Sequence, residues 1–254
     1  MRAAVVAAGV VLMATQLATS HAGASPASPS ALSPAATALA CAARLAAAPA
    51  GSVPRVAGSL DTAVKAVFGP GDVVVLDTGG QGVTAGQTFF ARRPFRAAQY
   101  SGPNSHWLDD AVRTSGWVRV DSVTGTKAVA SVVHACDTIE AGDYLEPFEA
   151  PAVPAAMPAG APDFERGLTV LFDNDERAVG SPVKTLLVGR QAEVDASPGQ
   201  QVTFFRRLYG KDGPVAELGR GTVLAVQERA LVVRVDDAHD AVYFVGDLAA
   251  LHRR

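Results

Sequence analysis

Cysteine is nearly absent from this chain. Its 254 residues include two, Cys41 and Cys136. Two sulfurs cannot build a disulfide-dense scaffold or a four-thiolate zinc site. No Cys-x-x-Cys pair occurs and the five histidines are scattered, so neither a metal nor a cofactor is expected. Aromatics are scarce at 6%, and alanine inflates the 48% hydrophobic share, so any core must be modest and mainly aliphatic. An excess of either charge is also missing. The 22 basic and 25 acidic residues give a net charge of −3 with no basic stripe, which argues against a nucleic-acid partner. Beyond the first residues, no apolar run approaches the roughly 20 residues needed to span a bilayer. Serine-nucleophile motifs, phosphate loops and zinc-protease helices are absent too.

What is present is a repetition. Gly86-Gln87-Thr88-Phe89-Phe90-Ala91-Arg92-Arg93 is followed by Gly116-Trp117-Val118-Arg119-Val120 and then by Gly142-Asp143-Tyr144-Leu145. The second pass reads Gly199-Gln200-Gln201-Val202-Thr203-Phe204-Phe205-Arg206-Arg207, then Gly221-Thr222-Val223-Leu224-Ala225, then Gly246-Asp247-Leu248. Three landmarks recur in one order, the mark of two copies of one small β module.

The N-terminus carries an export signature. Arg2 precedes an apolar run over residues 3–15, and Ala22-Gly23-Ala24 supplies small residues for cleavage after Ala24. We expect a signal peptide over 1–24, a Ser/Ala/Pro leader over 25–34 and a helical segment over 35–68 whose alanine-rich part ends at Pro49. The mature chain is expected outside the cytoplasm, periplasmic or extracellular, with no membrane span. There an even cysteine pair reads as a disulfide, though two buried thiols fit the alanine-rich surroundings as well. A bridge closing so long a loop would contribute about 4–5 kcal/mol through chain entropy.

Strand signals fill the rest. The β-branched run at Val73–Leu76, the glycine turn at residues 78–82, the alternating Trp117–Ser122 and its return over Lys127–Ala135 predict module one over residues 69–148. Residues 149–162 are dominated by Pro and Ala and read as a stiff, extended linker. Module two, over 163–254, opens on what reads as an added strand at Leu168–Phe172. Lys184–Val188, Gln201–Arg207, the Val223–Val226 and Leu231–Val235 hairpin and Val242–Val245 follow. The predicted fold is all-β: two small barrel-like modules in tandem behind a short N-terminal helix.

The string Val74-Val75-Leu76-Asp77-Thr78-Gly79-Gly80-Gln81-Gly82-Val83-Thr84-Ala85-Gly86-Gln87-Thr88-Phe89, with its later Gly-x-Val-x-Val strand and terminal Gly-Asp turn, resembles a pattern of bacterial envelope proteins. It is similar to the C-terminal β domain of FlgT-type flagellar assembly proteins and to the β domains that accompany LysM modules. The likeness runs from about Asp72 onward, although no LysM repeat is recognisable here. It implies a non-catalytic, structural or assembly module with an envelope protein as partner. The alternative it leaves is a peptidoglycan or polysaccharide-binding module.

Four constellations bear on chemistry. Leu76-Asp77-Thr78-Gly79 has the form of an aspartic-peptidase strand, but a second Asp-Thr/Ser-Gly is lacking, and an Asp entering a turn explains it equally. Asp236-Asp237-Ala238-His239-Asp240 reads as a polar loop or a cation site without the expected glycine. Tyr100, His106 and Trp107, in an insertion that module two does not share, are the binding-site candidates, with Trp107 alternatively plugging a barrel end. The Arg92-Arg93 and Arg206-Arg207 pairs read as solvated strand ends or as contacts for an anionic polymer.

Overall fold

The computed structural model describes residues 32–61, 65–98, 107–173, 179–180, 185–190, 194–239, 243–244 and 247–253. The expected signal peptide, residues 1–24, and most of the expected leader lie outside them. Helix α1 (Pro34–Cys41) leads to β1 (Arg44–Leu45), β2 (Arg55–Ser59), β3 (Val67–Phe68), β4 (Val73–Asp77), β5 (Thr88–Ala98), β6 (Trp107–Thr124), β7 (Lys127–Ala135), β8 (Ile139–Glu140) and β9 (Tyr144–Pro147). After the linker come β10 (Leu168–Asp173), β11 (Val179–Gly180), β12 (Thr185–Gly189), β13 (Gln201–Arg207), β14 (Val215–Val226), β15 (Ala230–Ala238), β16 (Tyr243–Phe244) and β17 (Leu248–Leu251). Among the described residues no helix is long and apolar enough to cross a membrane.

Two closed antiparallel barrels of six strands stand in tandem. The first closes in the order β2-β4-β7-β6-β5-β9, and the second in the order β10-β12-β15-β14-β13-β17. Each step of one has its counterpart in the other. Even the small accessory pairs agree, β3 with β8 and β11 with β16. The repeat seen in sequence is therefore a repeat of topology. Closure leaves few open edges, which suits short strands in a small core.

Alternation along the strands fills each interior. On β7, Ala128, Ala130 and Val132 point inward between more exposed neighbours. They meet Val74, Leu76, Phe89, Ala91, Val118 and Leu145. Barrel two packs Leu186, Val188, Val202, Phe204, Val233 and Leu251 in the same way. Large and small residues trade places between the copies. Counting from the shared Gly-Gln turns, Phe89 and Ala91 correspond to Val202 and Phe204, since Ala91 pairs with Gly116 and Phe204 with Gly219. The conspicuous Thr-Phe-Phe strings are thus offset by two residues. An offset of two preserves the inward face, whereas one would have reversed it.

The structure corrects several boundaries. The helix spans eight residues, with Pro34 in its first turn and Ser33 Oγ accepting from Ala36 N at 3.2 Å. The alanine-rich stretch beyond Cys41 is extended, because pairing with β6 offers its backbone more than an unsupported alanine helix does. Barrel one begins at Arg55, inside the segment expected to be helical, because β2 is needed to close it. β10 is not an addition: it is the counterpart of β2. Within the stretch read as a strand over Val242–Val245, Tyr243 and Phe244 pair with β11, and β17 closes the barrel instead. The linker forms neither helix nor strand over residues 149–161, and it docks on barrel two. Met157 N donates to Gly199 O at 2.8 Å, and Arg253 N donates to Ala161 O at 2.9 Å.

Candidate functional site

The arginine pairs are not solvated strand ends. Arg93 donates to Asp143 through Nε at 2.7 Å and Nη2 at 3.0 Å, and its Nη1 reaches Glu140 at 2.7 Å. Arg206 repeats this fork on Asp247, at 2.7 and 2.8 Å. Both acceptors come from the repeated Gly-Asp segment, and both are buried. Asp143 also accepts from Glu140 N at 3.0 Å, the local capping its position implied. An arginine on the fifth strand clamping the closing turn is thus a built part of each barrel. The recurrence of Arg and Gly-Asp was visible in the sequence, but their pairing was not.

Arg92 turns the other way, into the junction between the barrels. Its Nη1 donates to Thr114 Oγ1 at 2.5 Å, its Nε lies 2.9 Å from Glu146 Oε2, and its guanidinium sits 4.5 Å over the Phe90 ring. Arg44, delivered by β1, shares the same carboxylate and contacts Tyr144. Burial, then the charge of Arg44, hold the Arg92 pKa below its usual value. Burial also opposes the charge on Arg44, but its bonds to Tyr144 and Glu146 outweigh that and raise its pKa. Arg44, Arg92 and Glu146, together with Phe90, Gln227 and Val232, line a cleft of about 530 Å³.

The segment after α1 straps the barrels together. Cys41 is disulfide-bonded to Cys136, 95 residues away. Ala42 and Ala43 are buried, and β1 adds to β6 with Leu45 opposite Ala111. From barrel two, Gln227 accepts from Leu45 N at 3.2 Å and donates to Ala43 O at 3.4 Å, so one side chain serves as an extra strand. Phe95 meets Phe172 edge-to-face at 5.3 Å amid Ala111, Leu171, Leu187 and Ala230. Arg229 pairs with Asp110 at the rim.

The binding-site candidates named from sequence are only partly placed. Tyr100 and His106 lie outside the described residues. Trp107 opens β6 opposite Ala98, and its side chain also lies outside them. The described ends of the supposed insertion, residues 97–98 and 107–110, belong to β5 and β6, which pair with each other. The equivalent β13–β14 tip, residues 208–214, is described and was missed by sequence reasoning. Tyr209 is 99% exposed there, and its φ of 62° is the one positive value outside glycine among the described residues. The tip is well defined: Leu208 N donates to Pro214 O and Gly213 N to Gly210 O, both at 3.0 Å. A tyrosine followed by glycine between two strands was the available signal.

The peptidase-like carboxylate is engaged in its turn. Asp77 Oδ1 accepts from Gly79 N at 3.1 Å, and Oδ2 pairs with Lys127 at 2.9 Å. The position equivalent to Asp77 in barrel two is Gly189, so the repeat supplies no second acid there. The acidic stretch is a strand end rather than a loop. Asp236 accepts from Arg234 at 2.6 Å and from Thr222 at 2.5 Å, with His239 N bonded to Leu218 O at 2.8 Å. Set beside known proteins, the chain matches no family model and no curated protein in sequence.

Proposed function

We propose that this chain is an exported protein of the bacterial cell envelope that works without catalysis, as a structural or assembly module binding a partner protein through the β13–β14 hairpin tip of its braced barrels. The single observation that carries this reading is Tyr209. Holding a bulky side chain in the left-handed region costs about 1–2 kcal/mol. Full exposure means no intramolecular packing offsets that cost. A rigid aromatic presented on a short hairpin, beside the half-exposed Leu208, has the character of an interface anchor. The export signature and the resemblance to envelope β domains supply the compartment. The strap supports the reading as well, since a partner touching both barrels meets one fixed surface with little ordering cost.

The test is in-cell photocrosslinking from position 209, with Tyr209→Ala compared against wild type by co-purification. We expect one or two specific protein partners, retained by wild type and lost in the variant. Sedimentation of the pure protein with peptidoglycan, with no protein crosslink, would replace this reading by the polysaccharide-binding one, in which Tyr209 stacks on a sugar.

A further inference from the structure

The disulfide has a histidine beside it. His134 is the second-last residue of β7 and Cys136 the first beyond it. Cys41 is brought to the same place by the last residue of α1. The two sulfurs and a ring nitrogen of His134 lie within 4.8 Å of one another, and all three residues are partly buried, so the cluster is reachable from solvent. In tetrahedral zinc sites the sulfur and nitrogen ligands stand at about 2.3 Å and 2.0–2.1 Å from the ion, which sets them roughly 3.5–4 Å apart. Small side-chain rotations separate the present cluster from that arrangement once the sulfurs are no longer bonded.

The surroundings favour a soft cation. The His134 ring stacks on Trp117 with centroids 4.3 Å apart and planes 18° apart, which fixes its orientation. Ala40, Phe90, Val133 and Phe148 complete an apolar wall around the cysteines. Two thiolates and an imidazole select zinc(II) or copper(I) over oxygen-seeking ions, and a dry wall strengthens their attraction for the cation. Spacing along the chain hid this set, because Cys41 stands 95 residues before Cys136.

We propose that Cys41, His134 and Cys136 form a redox-gated binding site for a thiophilic cation such as zinc(II). A dithiol reductant transfers two electrons and two protons, becoming a disulfide as Cys41 and Cys136 become thiols. The cation then displaces one proton from each thiol and accepts the lone pair of neutral His134, leaving a fourth position for water. A disulfide oxidant reverses this: it takes two electrons from the two thiolates and two protons from water to become a dithiol, the Cys41–Cys136 bond re-forms, and the ion is released. The bound ion takes over the clamp on α1, so the strap stays docked in both states. This proposal does not depend on the partner-binding reading.

The test uses the full chain, oxidised or reduced with a phosphine, titrated anaerobically with cobalt(II) as spectroscopic probe and then with zinc(II). We expect one equivalent per reduced chain with thiolate-to-cobalt charge-transfer absorption, none per oxidised chain, and a higher melting temperature of the reduced chain once zinc is bound. His134→Ala should still form the disulfide when oxidised, yet bind zinc at least about ten-fold more weakly when reduced. Circular dichroism follows folding throughout. No uptake by folded, reduced wild type would overturn the proposal. So would equal affinity in His134→Ala, or a chain that unfolds on reduction and is not refolded by zinc.

Discussion

Carboxylates near turns do two different jobs in this protein, and exposure separates them. Asp143 and Asp247 are buried and would be isolated charges without the arginine forks that hold them. Asp77 is exposed and is tuned by its neighbours instead. The Lys127 ammonium, then the Gly79 amide, hold its carboxyl below the usual aspartate range. A carboxyl depressed on folding adds stability that is fully present above its unfolded pKa of about 3.9 and is lost as pH falls through the folded value. Asp77→Asn should therefore lower the urea midpoint at neutral pH and leave it unchanged in acid well below pH 3.9 or so. Salt should shrink the neutral-pH difference, since both partners face water. Denaturation series at three pH values, with and without salt, measure it.

At the level of elements, the two Gly-Gln turns are one design in different company. Gly86 and Gly199 have φ of 87° and 89°, which strains any L side chain. A Cβ on Gly86 would meet nothing within 4 Å, whereas on Gly199 it would lie 2.1 Å from Ala155 O of the linker. Gly86→Ala should cost about 1–2 kcal/mol, the backbone strain alone. Gly199→Ala should cost about 2–5 kcal/mol, because strain is joined by displacement of packed backbone. It should also release the Met157 to Gly199 hydrogen bond and expose the linker to protease. Equilibrium unfolding of both variants with limited proteolysis checks the contrast.

Over the whole molecule, the strap decides whether two barrels behave as one body. The disulfide loop holds barrel one up to β7, with β9 beyond it, and leaves barrel two outside, so the coupling rests on the Gln227 fork and the Phe95–Phe172 contact. Phe172 is 3% exposed, and truncating a buried phenylalanine costs about 3–5 kcal/mol. Wild type should melt in a single calorimetric transition. Phe172→Ala should split it in two, because the apolar cluster between the barrels loses the ring that faces Phe95. A single downshifted transition would mean that the linker and strap couple the barrels without the aromatic contact.

The repeat, the all-β class and most strands were legible in the chain, because inward-outward alternation and glycine turns are local properties that each segment states for itself. The expectation of export rests on local features too, those of residues 1–24. What the chain could not state was anything that closes over distance. β2 was unreadable because Arg55–Ser59 has no strong alternation and is held by β4 and β9. The forks from Arg93 and Arg206 join landmarks whose spacing carries no sign of contact. The meeting of Cys41 with His134 and Cys136 depends on a barrel folding between them. Tyr209 looked like any turn-flanking aromatic until the backbone placed it outward at positive φ. Sequence by itself determined the modules, through periodicity that needs only neighbours. Tertiary structure alone decided the junction and the clamps, because each is set by which distant surfaces exclude water from one another.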